Sequence, residues 1–191
     1  MKLFPLFCKA DEYEQRFEQI RPRLYRVAYS WTRNAALAED LAQETLVKGL
    51  KRLGQLNDAE RFDGWMFSIL TNCWRDHFRQ HREMDDIDDI DESLVAHHIS
   101  PEVEHSQNEL VARVRDAVSR LPAGQRQVVT LIDLEEFSYL DVARILSIPI
   151  GTVMSRLCRA RQALQVLLRE HAPADMKVQD VRKVTAIRRV K

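Results

Sequence analysis

Residues 138–164 read SYLDVARILSIPIGTVMSRLCRARQAL, and no other stretch restricts the fold as tightly. Ser138 and Asp141 have capping-box spacing, in which a hydroxyl accepts from a backbone N–H three residues on. They predict a short helix from Tyr139 to Leu146. Ser147 and Ile148 form a tight connection. Pro149 suits the first turn of a second helix, where its missing N–H costs little. On that second helix Ile150, Val153, Leu157, Ala160 and Leu164 recur at three- and four-residue spacing and so face a core. The opposite face then carries Thr152, Ser155, Arg156 and Arg159. A short helix, a tight turn and a second helix with a hydroxyl-and-arginine outer face make a helix-turn-helix. Arg can read guanine N7 and O6 in a major groove, and Ser or Thr can bond phosphates or base edges. A helical hairpin with solvated arginines would share the periodicity. The outer face argues against it, since Arg156, Arg159 and Arg161 lie in a span, 142–169, that holds no acid.

The rest of the chain is also helical in pattern, with no convincing alternating strand. A helix is expected from about Asp11 to Arg33, with Phe17, Ile20, Leu24, Val27 and Ala28 on one stripe. A second runs from Ala35 to about Leu53, with Leu37, Leu41, Thr45 and Leu46 inward and Gly54 as its stop. A third runs from Phe62 to about Arg82. It is aromatic on more than one side (Phe62, Trp65, Phe67, Trp74, Phe78) and carries Arg75, Arg79 and Arg82. Ser106 and Glu109 open a fourth, which stacks Leu110, Val114, Val118 and Leu121. LPAGQ breaks it, and Gln125 to Leu134 is apolar again. The fold class is all-α, with two small helical domains.

Formal net charge is zero over 191 residues, but the charge is sorted. Residues 83–105 hold nine carboxylates and no Lys or Arg, seven of them in EMDDIDDIDESL (83–94). With Pro101 and no periodicity, this span reads as an acidic linker, extended by self-repulsion. Ile87 and Ile90 are odd for a purely solvated tether and point to partial docking on something apolar. Residues 176–191 carry six basic residues and one acid, a basic tail. Cys8, Cys73 and Cys158 are far apart and odd in number, which favours reduced thiols. Cys73 and Cys158 read as small buried hydrophobes. No run approaches a membrane span, so the chain reads as soluble and intracellular.

Enzyme chemistry finds no support. The acidic run lacks the glycine and the twelfth-position Glu of an EF-hand. His77 and His81 stand four apart without the HExxH glutamate, and His97 and His98 fall on the linker. There is no nucleophile elbow and no Gly-rich phosphate loop. No catalytic residue, cofactor, metal or small-molecule substrate is expected.

Three segments, taken together, resemble the extracytoplasmic-function group of bacterial sigma-70 factors. LPAGQRQVVTLIDLEEFSYLDVARILSIPIGTVMSRLCRARQAL is similar to the family's carboxyl-terminal domain. AEDLAQETLVKGLKRL (38–53) resembles its polymerase-binding helix. FDGWMFSILTNCWRDHFRQHR (62–82) resembles its promoter-opening helix. The resemblance implies a region 2 domain over 1–82, a linker over 83–105, a region 4 helix-turn-helix domain over 106–172 and a tail over 173–191. It implies a sigma initiation factor in the cytoplasm, with core RNA polymerase (β′ coiled coil and β flap), promoter DNA and an anti-sigma factor as partners. Asp40, Gln43 and Glu44 fall where the family docks on the coiled coil. Asn57, Arg61, Phe62 and Trp65 match the region that captures a flipped −10 base, where stacking is worth about 1–3 kcal/mol per base. Asn72, Arg75, Arg79 and Arg82 match the face along the opened strand. Thr152, Ser155, Arg156 and Arg159 match the face that enters the −35 groove. The acidic linker would thread the polymerase channel in place of nucleic acid.

There are departures. Met154 stands where Lys is common, Cys158 where His is frequent, and Leu140 replaces a usual polar residue. A stand-alone helix-turn-helix regulator with a helical sensing domain would share the motif. It would need an apolar ligand pocket where residues 57–82 instead mix aromatics with arginines.

Overall fold

The structure, a computed structural model, describes the backbone of residues 4–56, 58–84 and 107–170, and the side chains of 13–56, 58–79 and 111–169. The acidic run from Asp85, the tail, Asn57, Ser106 and the side chains of Cys8, His81, Arg82 and Leu110 lie outside the described residues. Among those described there are seven α-helices and no strand.

Three helices form the first module. The first, α1 (Phe4–Thr32), begins seven residues before the expected Asp11. Its stripe is inward as expected: Phe17, Ile20, Leu24, Val27 and Ala28 are all buried. Arg33 ends it at φ 55, and Asn34 caps α2 (Ala35–Arg52) by accepting the Leu37 N–H at 3.1 Å. Gly54 is not the stop. Leu53 closes α2 in right-handed geometry and leads into a 3-10 turn, Leu53–Gln55. A second 3-10 turn, Ala59–Arg61, precedes α3 (Phe62–Met84). Gly49 matters through close approach: a Cβ there would lie 2.7 Å from Met66 Sδ and 3.2 Å from the Phe17 ring. Both neighbours are buried, so α2 sits against α3 only because no side chain intervenes.

The second module holds α4 (Gln107–Ser119), α5 (Ala123–Val129), a π turn (Thr130–Leu134), α6 (Tyr139–Leu146) and α7 (Ile150–Glu170). The expected α4 stripe holds in part: Leu121, just past the helix, is buried and Val118 half-buried, but Val114 is 39% exposed and Ala117 is buried instead.

The two modules, expected as separate domains, are in contact and share one buried cluster. Phe67 of α3 meets Phe137 edge-on at 5.2 Å, and α3 packs on α6. Polar groups lie beside this apolar contact. Arg23 bonds both Asp63 and Glu135, the latter at 2.7 Å, and Arg26 lies 3.7 Å from the same buried carboxylate. Ser30 and Thr130 share a hydroxyl contact at 3.3 Å. Arg126 is buried and donates to three carbonyls: Trp31 at 2.8 Å, Ser119 at 2.6 Å and Leu121 at 2.9 Å. Burial, with the neighbouring Arg33 charge adding to it, pushes its guanidinium down to about 10, so it is still the cation at neutral pH.

Replacing Arg126 strands three carbonyls, each costing about 1–3 kcal/mol if left dry. Arg126→Ala is expected to cost about 2–4 kcal/mol, since some carbonyls regain water. Arg126→Lys should recover only part, because an ammonium lacks the planar fork. Urea unfolding followed by circular dichroism checks this, and equal midpoints for wild type and Arg126→Ala would contradict it.

Candidate nucleic-acid and partner interface

The helix-turn-helix forms with the predicted boundaries for α6. Ser138 Oγ accepts from the Asp141 N–H at 3.1 Å and donates to its carboxylate at 2.5 Å. The turn after α6 is a Schellman motif. Ile148 N–H bonds Ala143 O at 3.0 Å and Ser147 N–H bonds Arg144 O at 3.2 Å, with Ser147 left-handed at φ 53 where glycine is usual. Pro149 sits one place earlier than expected. Its carbonyl accepts from Thr152 and Val153, so it precedes the helix rather than occupying its first turn.

On α7, Val153, Leu157 and Ala160 are buried as expected. Ile150 is not: at 46% exposure it projects from the first turn beyond the core. Ser155 and Arg159 are exposed, and Thr152 and Arg156 are half-buried. Arg159 Nε donates to Ser155 O at 3.3 Å, which lays the guanidinium along the outer face. Arg156 packs over Gly124, where a Cβ would come within 2.7 Å of its guanidinium. Arg161 is drawn aside by Asp133 at 2.5 Å. Cys158 is exposed on this helix, not the buried hydrophobe expected, whereas Cys73 is buried. Met154 and Leu140 are both more than half exposed.

The expected docking triad shares one face of α2. Asp40, Gln43 and Glu44 are all exposed, as are Val47 (48%) and Leu50 (54%). Gln43 donates to Glu39 at 3.2 Å, and Glu44 pairs with Lys48 at 2.8 Å. Arg21, then Gln43, hold the Glu39 carboxyl below its usual range. Such a face, acids and an amide beside uncovered aliphatics, fits a basic amphipathic partner.

Between α2 and α3 the loop is held from α1. Arg16 donates to Ala59 O at 2.7 Å and stacks over the Phe62 ring at 4.7 Å and the Tyr13 ring at 5.5 Å. Asp58 caps the 3-10 turn through the Glu60 N–H at 3.0 Å and pairs with Arg61 at 3.0 Å. Phe62 corrects the sequence reading. It is fully buried, edge-on to Phe17 at 5.1 Å, and this packing leaves no ring face for a base. Trp65, half-buried beside it at 6.3 Å, is the ring that reaches the surface.

Along α3, Asn72, Arg75 and Arg79 are exposed and line a cleft of about 410 Å³ with Lys48, Arg52, Ile69 and Asp76. Arg79 pairs with Asp76 at 3.2 Å, and Arg75 donates to Leu146 O at 2.5 Å. Lys48 and Arg52 were missed in the sequence, although their four-residue spacing at the basic end of α2 was visible. Arg16 was missed because an arginine in an amphipathic helix reads as solvated. His77 sits edge-on to Phe78 at 5.7 Å.

Two family models match the chain: sigma-70 region 2 over residues 16–84 and sigma-70 region 4 over residues 112–164. The ECF RNA polymerase sigma factor EcfG of Rhodopseudomonas palustris is 33% identical over 147 residues, covering 77% of this chain and 80% of that one. The ECF RNA polymerase sigma factor SigW of Bacillus subtilis is 27% identical, covering 84% and 90%. Among solved structures, the sigma factor RpoE of Bartonella quintana, in complex with the anti-sigma factor NepR, superposes with a TM-score of 0.71 at 31% identity. That match covers 84% of this chain and 99% of the other.

The Arg16 clamp makes a local prediction. Arg16→Ala removes the bond to Ala59 and the stacking on Phe62, a contact class worth about 0.5–2 kcal/mol. Backbone amides from Asp58 to Phe62 should then exchange hydrogen faster, while those of α5 and α7 stay unchanged. Unaltered exchange in the loop would show that Asp58 alone holds it.

Proposed function

The chain belongs to the extracytoplasmic-function group of sigma-70 RNA polymerase sigma factors, a family of initiation factors, and on that premise we propose how its residues divide the work. The observation that carries the reading is that one molecule presents separate exposed polar faces on α2, α3 and α7. Asp40, Gln43 and Glu44 dock on the basic β′ coiled coil of core polymerase, with Val47 and Leu50 adding apolar contact. The second module meets the β flap. Ser155 and Arg159, flanked by Thr152 and Arg156, read the −35 duplex. Arg61, Trp65, Asn72, Arg75 and Arg79 engage the opened −10 strand, Trp65 taking the stacking role. Asn57 and Arg82 belong to the same set by position, outside the described side chains.

The −35 face needs its arginines to remain cationic and aimed outward. Arg156 keeps its aim only because Gly124 leaves room, so the wall of the neighbouring helix sets the reading geometry. No helix among the described residues is long and apolar enough to cross a membrane, and the proposed place of work is the cytoplasm. The structural relative from Bartonella quintana is held by an anti-sigma factor, and this chain is proposed to be regulated by a protein of that kind.

Run-off transcription with core polymerase on a genomic library is the central test. Promoter-specific transcripts are expected; their absence, or duplex binding by the chain alone with no core binding, would overturn the reading. Arg159→Ala should lose about 1–3 kcal/mol of discrimination at a −35 base if it reads a base edge, with core pull-down unchanged. If its contact is to phosphate, binding should weaken evenly across sequences and the salt slope should fall by about one. Gly124→Ala, which displaces Arg156, should also impair −35 selection while sparing core binding.

A further inference from the structure

Beside the polar groups of α7 runs a second ridge that carries no charge. Ile150, Met154 and Cys158 stand at four-residue spacing, so they lie turn after turn along one flank of the helix. All three are exposed, Ile150 at 46% and Met154 at 53%. The neighbouring ridge is Gly151, Ser155 and Arg159, also exposed, so the apolar line borders the proposed reading groups directly. A single exposed aliphatic is ordinary on a protein surface. Here two large ones occupy the first two turns of α7, and the amino-terminal residues of a recognition helix are those that meet base edges. Arg161 follows Met154 by about two turns on the same flank. Asp133 holds it at 2.5 Å, so the one cation of that flank already has its partner.

The polar ridge is partly occupied by its own helix. Ser155 Oγ donates to the Thr152 carbonyl at 3.1 Å, and Arg159 Nε donates to Ser155 O at 3.3 Å. Each has to loosen a bond within α7 to meet a base. An apolar side chain makes no such exchange, because it gains simply by leaving water. In the major groove thymine is the base that presents a methyl group, and an unbranched thioether adapts its shape to such a target. We propose that Met154, with Ile150 one turn before it, reads thymine in the −35 duplex through the 5-methyl group. The inference rests on the −35 role assigned to α7 above and deepens it. Arg159 then addresses an acceptor edge and Met154 a methyl edge, so two adjacent ridges of one helix distinguish bases by different chemistry.

The test uses core polymerase loaded with the full chain and a promoter duplex recovered from the run-off library. Each −35 thymine, on either strand, is replaced in turn by deoxyuridine, which removes the methyl group and keeps every hydrogen-bonding group. Competition binding reads the loss. Wild type should bind about fourfold more weakly at one of these thymines, the factor that burial of a single methyl group is worth. Met154→Ala should bind the unmodified duplex more weakly and no longer distinguish thymine from uracil there. Met154→Leu, apolar and of similar volume, should keep most of the distinction. Indifference of wild type to every deoxyuridine would overturn the inference, as would a −35 element without an A·T pair or a penalty that Met154→Ala and Ile150→Ala both leave intact. Loss of core pull-down in Met154→Ala would also overturn it, by assigning the ridge to a protein partner. Arg159→Ala on the unmodified duplex separates the premise. If it weakens −35 selection while deoxyuridine has no effect, the polar ridge reads alone and only the methyl contact fails. If neither change matters, the −35 role of α7 itself fails.

Discussion

Arg126 is the group on which the arrangement of the two modules depends. The last carbonyls of a helix have no intrahelical partner, so helix ends rarely enter a core unless a donor comes with them. Here the end of α1 at Trp31 converges with the end of α4 at Ser119 and the turn after it at Leu121, and one guanidinium answers all three. Its fixed fork of five N–H donors can reach several acceptors at once. With α1 docked on α5 by that bond, Arg23 meets Glu135, Ser30 meets Thr130, Phe67 meets Phe137 and Arg75 reaches the end of α6.

The composition of this seam decides how firmly it holds. An apolar seam of the same extent would resist separation, since all of its area would return to water at about 25 cal/mol per Å². Ion pairs and carbonyl bonds behave differently: on opening, water replaces the lost partner, and the net cost per bond is only about 0.5–1.5 kcal/mol. This seam carries both kinds: one buried apolar cluster runs across it, and the bonds of Arg23, Ser30, Arg75 and Arg126 lie beside that cluster. Parting the modules would therefore be opposed mainly by the apolar share, while the polar bonds fix their register.

Those elements that are fixed by local chemistry were legible in the sequence. Ser138 and Asp141 set the start of α6, and Phe17, Ile20, Leu24, Val27 and Ala28 announced the buried side of α1. What the sequence hid was whatever depended on the other module. Arg126 and Glu135 look like ordinary surface charges until the seam buries them, and no periodicity marks a charge as inward. Phe62 and Trp65 could not be told apart because α3 is apolar on more than one side, and only packing against Phe17 decides which ring is core. Ile150 fitted the inward spacing of α7 yet is exposed, because its turn extends past the last helix that could cover it. The Lys48–Glu44 pair was visible as a spacing, but its meaning depends on α3 placing Arg75 and Arg79 across the same cleft.

The free chain therefore treats its two proposed nucleic-acid faces differently. On α7, Ser155 and Arg159 are open to solvent, with Arg159 braced only by its own helix. In the α2–α3 cleft, Lys48, Arg75 and Arg79 are each answered by an acid or a carbonyl. The face proposed to read duplex is thus preformed, whereas three cations of the cleft are held by partners of their own chain.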